Sequence, residues 1–323
     1  MPVEEEIFSQ PKELSRVLEF VSESKAHVLI HEKLRDADEM LFIGCGSSYY
    51  IGITAARYFT GKLGVKTTAL PAGEFLLSAD WNLAKSGNKV AFLISRSGST
   101  SEVVRACEAL SKMHVFTIGI TLEEKSQLAR EAELSMIIPI KEESIVMTKS
   151  FSSITLFLLT LAEFLSGKTD LLPFKELINV IEESFPAWQK EAQNLSKQGT
   201  HYVFLGTGPY EGIARESALK LQEMSLTTTE SYSTLEYRHG PEALVEPGVV
   251  VVIYGDGEHE QALAQEIEGL GGRAVVRPRF LENYEDSFIQ VIFAQLLGLE
   301  IAKKKGIDVE NPRNLTKVVR LDG

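Results

Sequence analysis

Cysteine is nearly absent from this sequence, with two residues, Cys45 and Cys107, in 323. Neither belongs to a CxxC pair, so a disulfide framework is excluded and a reducing compartment fits the chain. An excess of positive charge is missing as well: 33 Lys and Arg stand against 45 Asp and Glu, a net of −12. Such a surface repels phosphodiester backbones and anionic membranes, which argues against nucleic acid or a membrane as partner. Long apolar runs are also lacking. The most apolar stretch, residues 154–165, is too short to span a bilayer and contains Glu163. The first residues, Met1-Pro2-Val3-Glu4-Glu5-Glu6, are acidic where a secretory signal would be basic. A soluble, cytoplasmic protein is expected.

Two ligand classes are set aside on similar grounds. His27 and His31 stand four apart, as helix-borne metal ligands do, but no HExxH glutamate or obvious third ligand accompanies them, and no metal is expected. Gly44-Cys45-Gly46 opens like a dinucleotide-binding turn, yet Ser47-Ser48-Tyr49 does not complete it, and no cofactor is expected. What is present is globular: 44% hydrophobic and 24% charged residues. The length allows about two domains of roughly 150 residues.

The chain reads as one module written twice. Met40-Leu41-Phe42-Ile43 runs into the turn Gly44-Cys45-Gly46-Ser47-Ser48, followed by helical spacing over 51–59. Tyr202-Val203-Phe204-Leu205 runs into Gly206-Thr207-Gly208, followed by a helix over 211–224 (206 − 44 = 162 residues later). A second apolar strand in each half, 90–94 and 249–253, precedes a loop, a helix (102–113, 260–270) and a third strand (115–120, 273–276). Short Val- and Ile-rich runs alternating with helices mark parallel sheets covered on both faces. The fold class expected is α/β, with two tandem doubly wound parallel-sheet modules, flavodoxin-like or Rossmann-like, related by internal duplication. Residues 1–24 form a lead-in, 25–170 the first module, and 171–323 the second with a C-terminal tail. Residues 151–165 and 174–193 read as helices, with Pro186 inside the latter.

In open parallel sheets, ligands bind beyond the carboxyl ends of the strands. The first module places Ser95-Arg96-Ser97-Gly98-Ser99-Thr100 there, with Ser47 and Ser48 in the neighbouring loop. Hydroxyls and a glycine that exposes backbone N–H groups suit a phosphate, even within an acidic protein. A plainer reading makes Thr100 or Ser101 an N-cap and the other serines loop filler. The second module carries Tyr254-Gly255-Asp256-Gly257-Glu258 in that place, with carboxylates instead of hydroxyls. One anion site per chain is therefore expected, in the first module.

These residues resemble the sugar isomerase (SIS) family, in particular the isomerase half of glucosamine-6-phosphate synthases and the stand-alone glucosamine-6-phosphate deaminases. Six stretches carry the resemblance in order: Glu6–Pro11, Cys45–Tyr49, Ser95–Thr100, Thr148-Lys149, Ala218–Glu223 and Glu236–Pro241, with Asn311–Lys317 at the end. It implies a phosphorylated amino sugar as ligand, contacted at its phosphate by Ser48, Ser95, Arg96, Ser97 and Thr100. It makes Glu223 the base that moves a proton between C1 and C2, His239 the ring opener, Lys220 a neighbour of the reacting carbons, and Lys317 a contact of the open-chain sugar. It also implies a homodimer, the His239 loop reaching the neighbouring subunit's site. Met147 and Thr148 would lie beside the sugar.

Those residue types suit the chemistry. Histidine both accepts and donates a proton near neutral pH. A carboxylate shuttles a proton between adjacent carbons. A lysine stabilises enolate charge or forms an imine. On composition alone, Lys220 and Glu223 are equally a helix-surface ion pair, and His239 a loop-ordering residue.

Two residues depart from the synthase pattern: Arg96 replaces a glutamine, adding a cation at the phosphate, and Met147 replaces a serine beside the sugar. The synthase's glutaminase nucleophile, an N-terminal cysteine, has no counterpart before Cys45. Deamination of glucosamine 6-phosphate to fructose 6-phosphate and ammonia is therefore the activity expected. A fructosamine-6-phosphate deglycase, an aldose–ketose isomerase and a non-catalytic sugar-phosphate sensor are the alternatives.

Overall fold

The computed structural model describes residues 2–24 and 26–321. The chain divides into two compact units. One, the loop unit, comprises Lys12–Glu142, Ser153–Leu171 and the chain from Thr316; the other, the helix unit, comprises the chain up to Pro11, Glu143–Ser152 and Leu172–Leu315. Helices α1 (Pro2–Phe8), α2 (Gln10–Glu23) and α3 (Ala26–Leu34) precede the first strand. The side chain of His27 lies outside the described residues.

In the loop unit, β1 (Glu39–Gly44), β2 (Lys66–Pro71), β3 (Lys89–Ile94), β4 (Phe116–Thr121) and β5 (Leu134–Ile137) form one parallel sheet in the order β2-β1-β3-β4-β5. Helices α4 (Ser47–Leu63), α5 (Ala72–Asn82), α6 (Ser101–Lys112) and α7 (Gln127–Glu131) connect its strands, and α8 (Lys149–Leu165) follows. Every residue of β1 is buried. Phe42 of β1 stacks on Phe92 of β3 at 4.7 Å, with Phe59 of α4 edge-on to Phe42 at 5.0 Å. Cys107 is buried in this core and Cys45 is half-buried. Burial pushes both thiols up to about 11.

The helix unit holds a four-stranded parallel sheet, β6 (His201–Leu205), β7 (Thr229–Tyr232), β8 (Val249–Tyr254) and β9 (Arg273–Arg277), in the order β7-β6-β8-β9. Helices α9 (Leu172–Gln198), α10 (Tyr210–Ser225), α11 (Glu258–Gly269) and α12 (Ser287–Lys305) accompany it, with Pro186 inside α9. Both sheets thus set their first strand between the second and the third. Both also turn on a glycine where close approach leaves no room for a side chain. A Cβ on Gly44 would stand 2.6 Å from the Ser48 carbonyl carbon, and one on Gly206 2.2 Å from the Tyr210 backbone oxygen.

At three elements the difference from the sequence reading has a plain physical cause. Helix α4 begins at Ser47 rather than near Ile51, because its first turn starts directly on the glycine-rich turn. Strand β2, Lys-Thr-Thr-Ala-Leu-Pro, lies at the sheet edge and is only partly buried, so it carries no apolar run to announce it. Helix α12 is buried from Ser287 through Ala302, and this all-round burial erases the amphipathic period. Among the described residues no helix is long and apolar enough to cross a membrane.

Candidate active site

Strands β1 and β3 are neighbours whose connections leave in opposite directions, β2 lying on one side and β4 on the other. The loops after β1 and β3 therefore flank the switch point of the sheet, where doubly wound folds bind ligands. Ser47 and Ser48 are buried at the start of α4, which has no side-chain cap. The Ser95 and Thr100 hydroxyls face each other at 3.1 Å across the loop after β3. Thr100 occupies the N-cap position of α6, yet its side chain makes no capping bond. The capping account of this loop therefore fails, and the hydroxyl points across the loop instead. Ser97 Oγ accepts from Ser99 N at 3.2 Å. Gly98 has φ +58, and a Cβ there would meet Ser126 Oγ at 2.1 Å, so only glycine permits this turn.

Arg96 and Lys317 belong to the same unit and meet on one residue. The Arg96 guanidinium donates to the Glu142 carboxylate at 2.7 Å, and both side chains are buried. Lys317 Nζ donates to the Glu142 carbonyl at 2.7 Å. The tail is also pinned to the start of α6: Ser101 N donates to Val319 O, and Leu321 N donates to Ser101 Oγ at 3.1 Å. Glu142 was not legible as a site residue, since nothing in Lys141-Glu142-Glu143 sets it apart from its neighbours.

In the helix unit, α10 carries Glu216, Lys220 and Glu223 on one face, at spacings of four and three. Lys220 Nζ lies 3.2 Å from Glu216 Oε1 and pairs still more closely with Glu223. Lys220 and Glu216 are wholly buried, while Glu223 keeps 18% of its side chain open to solvent. Burial by itself would lower the Lys220 ammonium, but the two carboxylates outweigh it and hold the group above the usual lysine range. This is a buried triad, not the surface ion pair that spacing alone allowed. Glu216 went unassigned in the sequence, although its place four residues before a lysine was the available signal. Gly298 of α12 sits beside this helix, where a Cβ would be 3.5 Å from the Lys220 carbonyl oxygen.

His239 lies exposed between two 3-10 turns, Leu235–Arg238 and Pro241–Leu244, and is followed by Gly240 at φ +130. Among the described residues, no hydrogen bond or ion pair joins its side chain to Lys220 or Glu223. Met147 and Thr148 are buried. The Thr148 hydroxyl faces Glu6 at 3.5 Å, and the same Glu6 carboxylate accepts from the backbone N–H of Glu143 at 2.6 Å and of Ser144 at 3.3 Å. Gln295 donates to the Thr148 carbonyl and accepts from Gln10, whose own carbonyl accepts from Ser152. Glu6 thus supports the 143–148 segment, a role that its place in the Glu6–Pro11 stretch did not specify.

Comparison with known proteins places this geometry. The SIS domain model matches residues 33–164. A crystal structure of glucosamine-6-phosphate deaminase from Thermotoga maritima is 38% identical and superposes with a TM-score of 0.87, covering 99% of this chain and 100% of that one. A glutamine–fructose-6-phosphate aminotransferase (isomerizing) from Aeropyrum pernix is 28% identical over 98% of this chain. The chain spans 57% of the length of that relative, and the same share of the one from Aquifex aeolicus. A tagatose-6-phosphate ketose/aldose isomerase from Escherichia coli, 19% identical with a TM-score of 0.85, shares the fold. With its two parallel sheets, its hydroxyl-lined loop at the first switch point and a full-length relative at this identity, the chain belongs to the SIS family of phosphosugar proteins.

Proposed function

We propose that this chain is a glucosamine-6-phosphate deaminase, converting glucosamine 6-phosphate and water to fructose 6-phosphate and ammonia. The observation that carries the reading is the α10 triad: a carboxylate open to solvent, Glu223, backed by a buried charged lysine. A module that only sensed a phosphosugar would need the serine loop and not this arrangement. The 38% identity to a deaminase supports the choice of reaction.

In this reading the hydroxyls of Ser47, Ser48, Ser95, Ser97 and Thr100 take the phosphate, and His239 moves the proton that opens the pyranose ring. Glu223 then removes the C2 proton of the open-chain aldehyde and returns it to C1, leaving an imine at C2. Water adds to the imine carbon, and ammonia departs. Because Lys220 is held protonated at neutral pH, it stabilises the developing enolate charge rather than attacking as a free amine. Lys317 contacts the open-chain sugar, and Met147 and Thr148 shape its surroundings. The protein acts in the cytoplasm as a homodimer, the exposed His239 loop of each copy serving the site of the other. The shared strand order and the paired glycines Gly44 and Gly206 support an origin of the two modules by duplication.

The test is to supply glucosamine 6-phosphate to the purified chain and follow ammonia and fructose 6-phosphate together. Equal amounts of both are expected. Interconversion of an aldose and a ketose phosphate without ammonia would move the reading to an isomerase. Binding without any turnover would move it to a sensor.

A further inference from the structure

The cation that Arg96 brings to the serine loop is already engaged. Its guanidinium meets the Glu142 carboxylate at 2.7 Å, with the Arg96 side chain 7% exposed and that of Glu142 fully buried. Its backbone is fixed too: the Arg96 carbonyl accepts from Thr121 Oγ1 at 3.1 Å and from Leu122 N at 3.1 Å. Arg96 is therefore tied by its main chain to the end of β4 and by its side chain to Glu142. The same loop carries the neutral hydroxyls of Ser95, Ser97 and Thr100. Two buried opposite charges at contact distance hold each other strongly, and removing either one takes the nearest counterion from the other.

We propose that Glu142 sets the charge of the phosphate site: it neutralises Arg96, so that the phosphate monoester is bound by neutral donors and the product is released readily. The proposal rests on the serine loop being the phosphate site. It makes Glu142 a positioning residue that acts through Arg96, and it makes the pair, rather than the arginine, the unit that tunes affinity. Freeing the guanidinium would add a charge-assisted bond to phosphate, and stranding the carboxylate would repel it.

The experiment is a cycle on the whole chain with inorganic phosphate and fructose 6-phosphate as probes, titrated calorimetrically against wild type, Glu142→Gln, Arg96→Gln and the double variant. Glu142→Gln is expected to bind both probes roughly tenfold more tightly, and Arg96→Gln roughly tenfold more weakly. The double variant, which keeps a neutral side-chain pair in place, is expected to bind within about threefold of wild type. Equal weakening in Arg96→Gln and the double variant would overturn the proposal, because Arg96 would then contact phosphate itself. Weakening in Glu142→Gln would overturn it as well. Should a single variant fail to fold, the double variant alone decides, since a tenfold loss there contradicts a pair that cancels. If wild type binds neither probe, the phosphate-site reading falls first and this inference with it, an outcome distinct from a failed cycle on a protein that binds.

Discussion

The two units share a strand order and a turn glycine, yet they differ in the side chains set around them. In the loop unit, the connection after β3 is lined with hydroxyls, while α4 carries Thr54, Tyr58 and Gly61 at ten, fourteen and seventeen residues beyond Gly44. In the helix unit, the positions ten, fourteen and seventeen beyond Gly206 hold Glu216, Lys220 and Glu223, and the loop after β8 is acidic. Asp256 in that loop is occupied by Arg279 at 3.4 Å. Tyr58, the counterpart of Lys220, spends its hydroxyl on the buried Glu163, which also pairs with Lys62 at 2.6 Å. The same strand order thus carries a hydroxyl-lined loop in one unit and an ionisable helix face in the other. The backbone requirement, a glycine under a helix start, is common to both; the side chains above it are free to specialise.

That comparison breaks most visibly at Glu223. Glu223→Gln is expected to slow ammonia release by roughly 10²–10⁴-fold while phosphosugar binding persists, measured by turnover and calorimetry side by side. Unchanged turnover would remove the chemistry from α10. Next comes Lys220→Met, which strands two carboxylates in the interior and is expected to cost about 3–5 kcal/mol in urea unfolding. Its sign with pH follows from the raised Lys220 value. The stabilisation is complete below the unfolded lysine value of about 10.4 and is lost as pH rises through the higher folded value. Wild type should therefore lose stability above pH ~10.4 in a step that Lys220→Met lacks.

Importing the acidity of one loop into the other sharpens the contrast. Ser97→Asp is expected to weaken phosphosugar binding by roughly a hundredfold through like-charge repulsion. Asp256→Ala, in the counterpart loop, should change unfolding free energy by less than about 0.5 kcal/mol and leave binding alone. On α4, Tyr58→Phe removes one hydrogen bond from a carboxylate that keeps Lys62, and a loss of about 1 kcal/mol in thermal unfolding is expected. The smallest effect concerns the thiols, both of which lie in the loop unit. With Cys45 and Cys107 pushed up to about 11, their reaction with a disulfide reagent should be slow at neutral pH and climb steadily to about that value. Fast reaction at pH 7 would mean that the turn after β1 is open.

The repeated strands and the serine loop were legible because each is local: β1, β3, β6 and β8 are short buried runs ending at glycine or a polar turn. Edge strand β2 and the wholly buried α12 were not, since partial burial weakens the strand pattern and complete burial removes the helical one. Among site residues, Lys220 and Glu223 came through a motif, whereas Glu216, Glu142 and Glu6 act on partners that the sequence does not point to. Glu142 reaches back 46 residues to Arg96, and Glu6 spans 137 to the Glu143 amide.

The sequence by itself determined the α/β class, the strand-and-glycine pattern of each half, the hydroxyl-rich loop and the family, because these depend on residue type and on spacing along the chain. Only the tertiary structure decided which charges are spent and which are open. A carboxylate's role depends on whether water or a buried cation meets it. Glu216, Glu142 and Glu223 are the same residue in the sequence and all three pair with a buried cation, but only Glu223 keeps part of its side chain in contact with water.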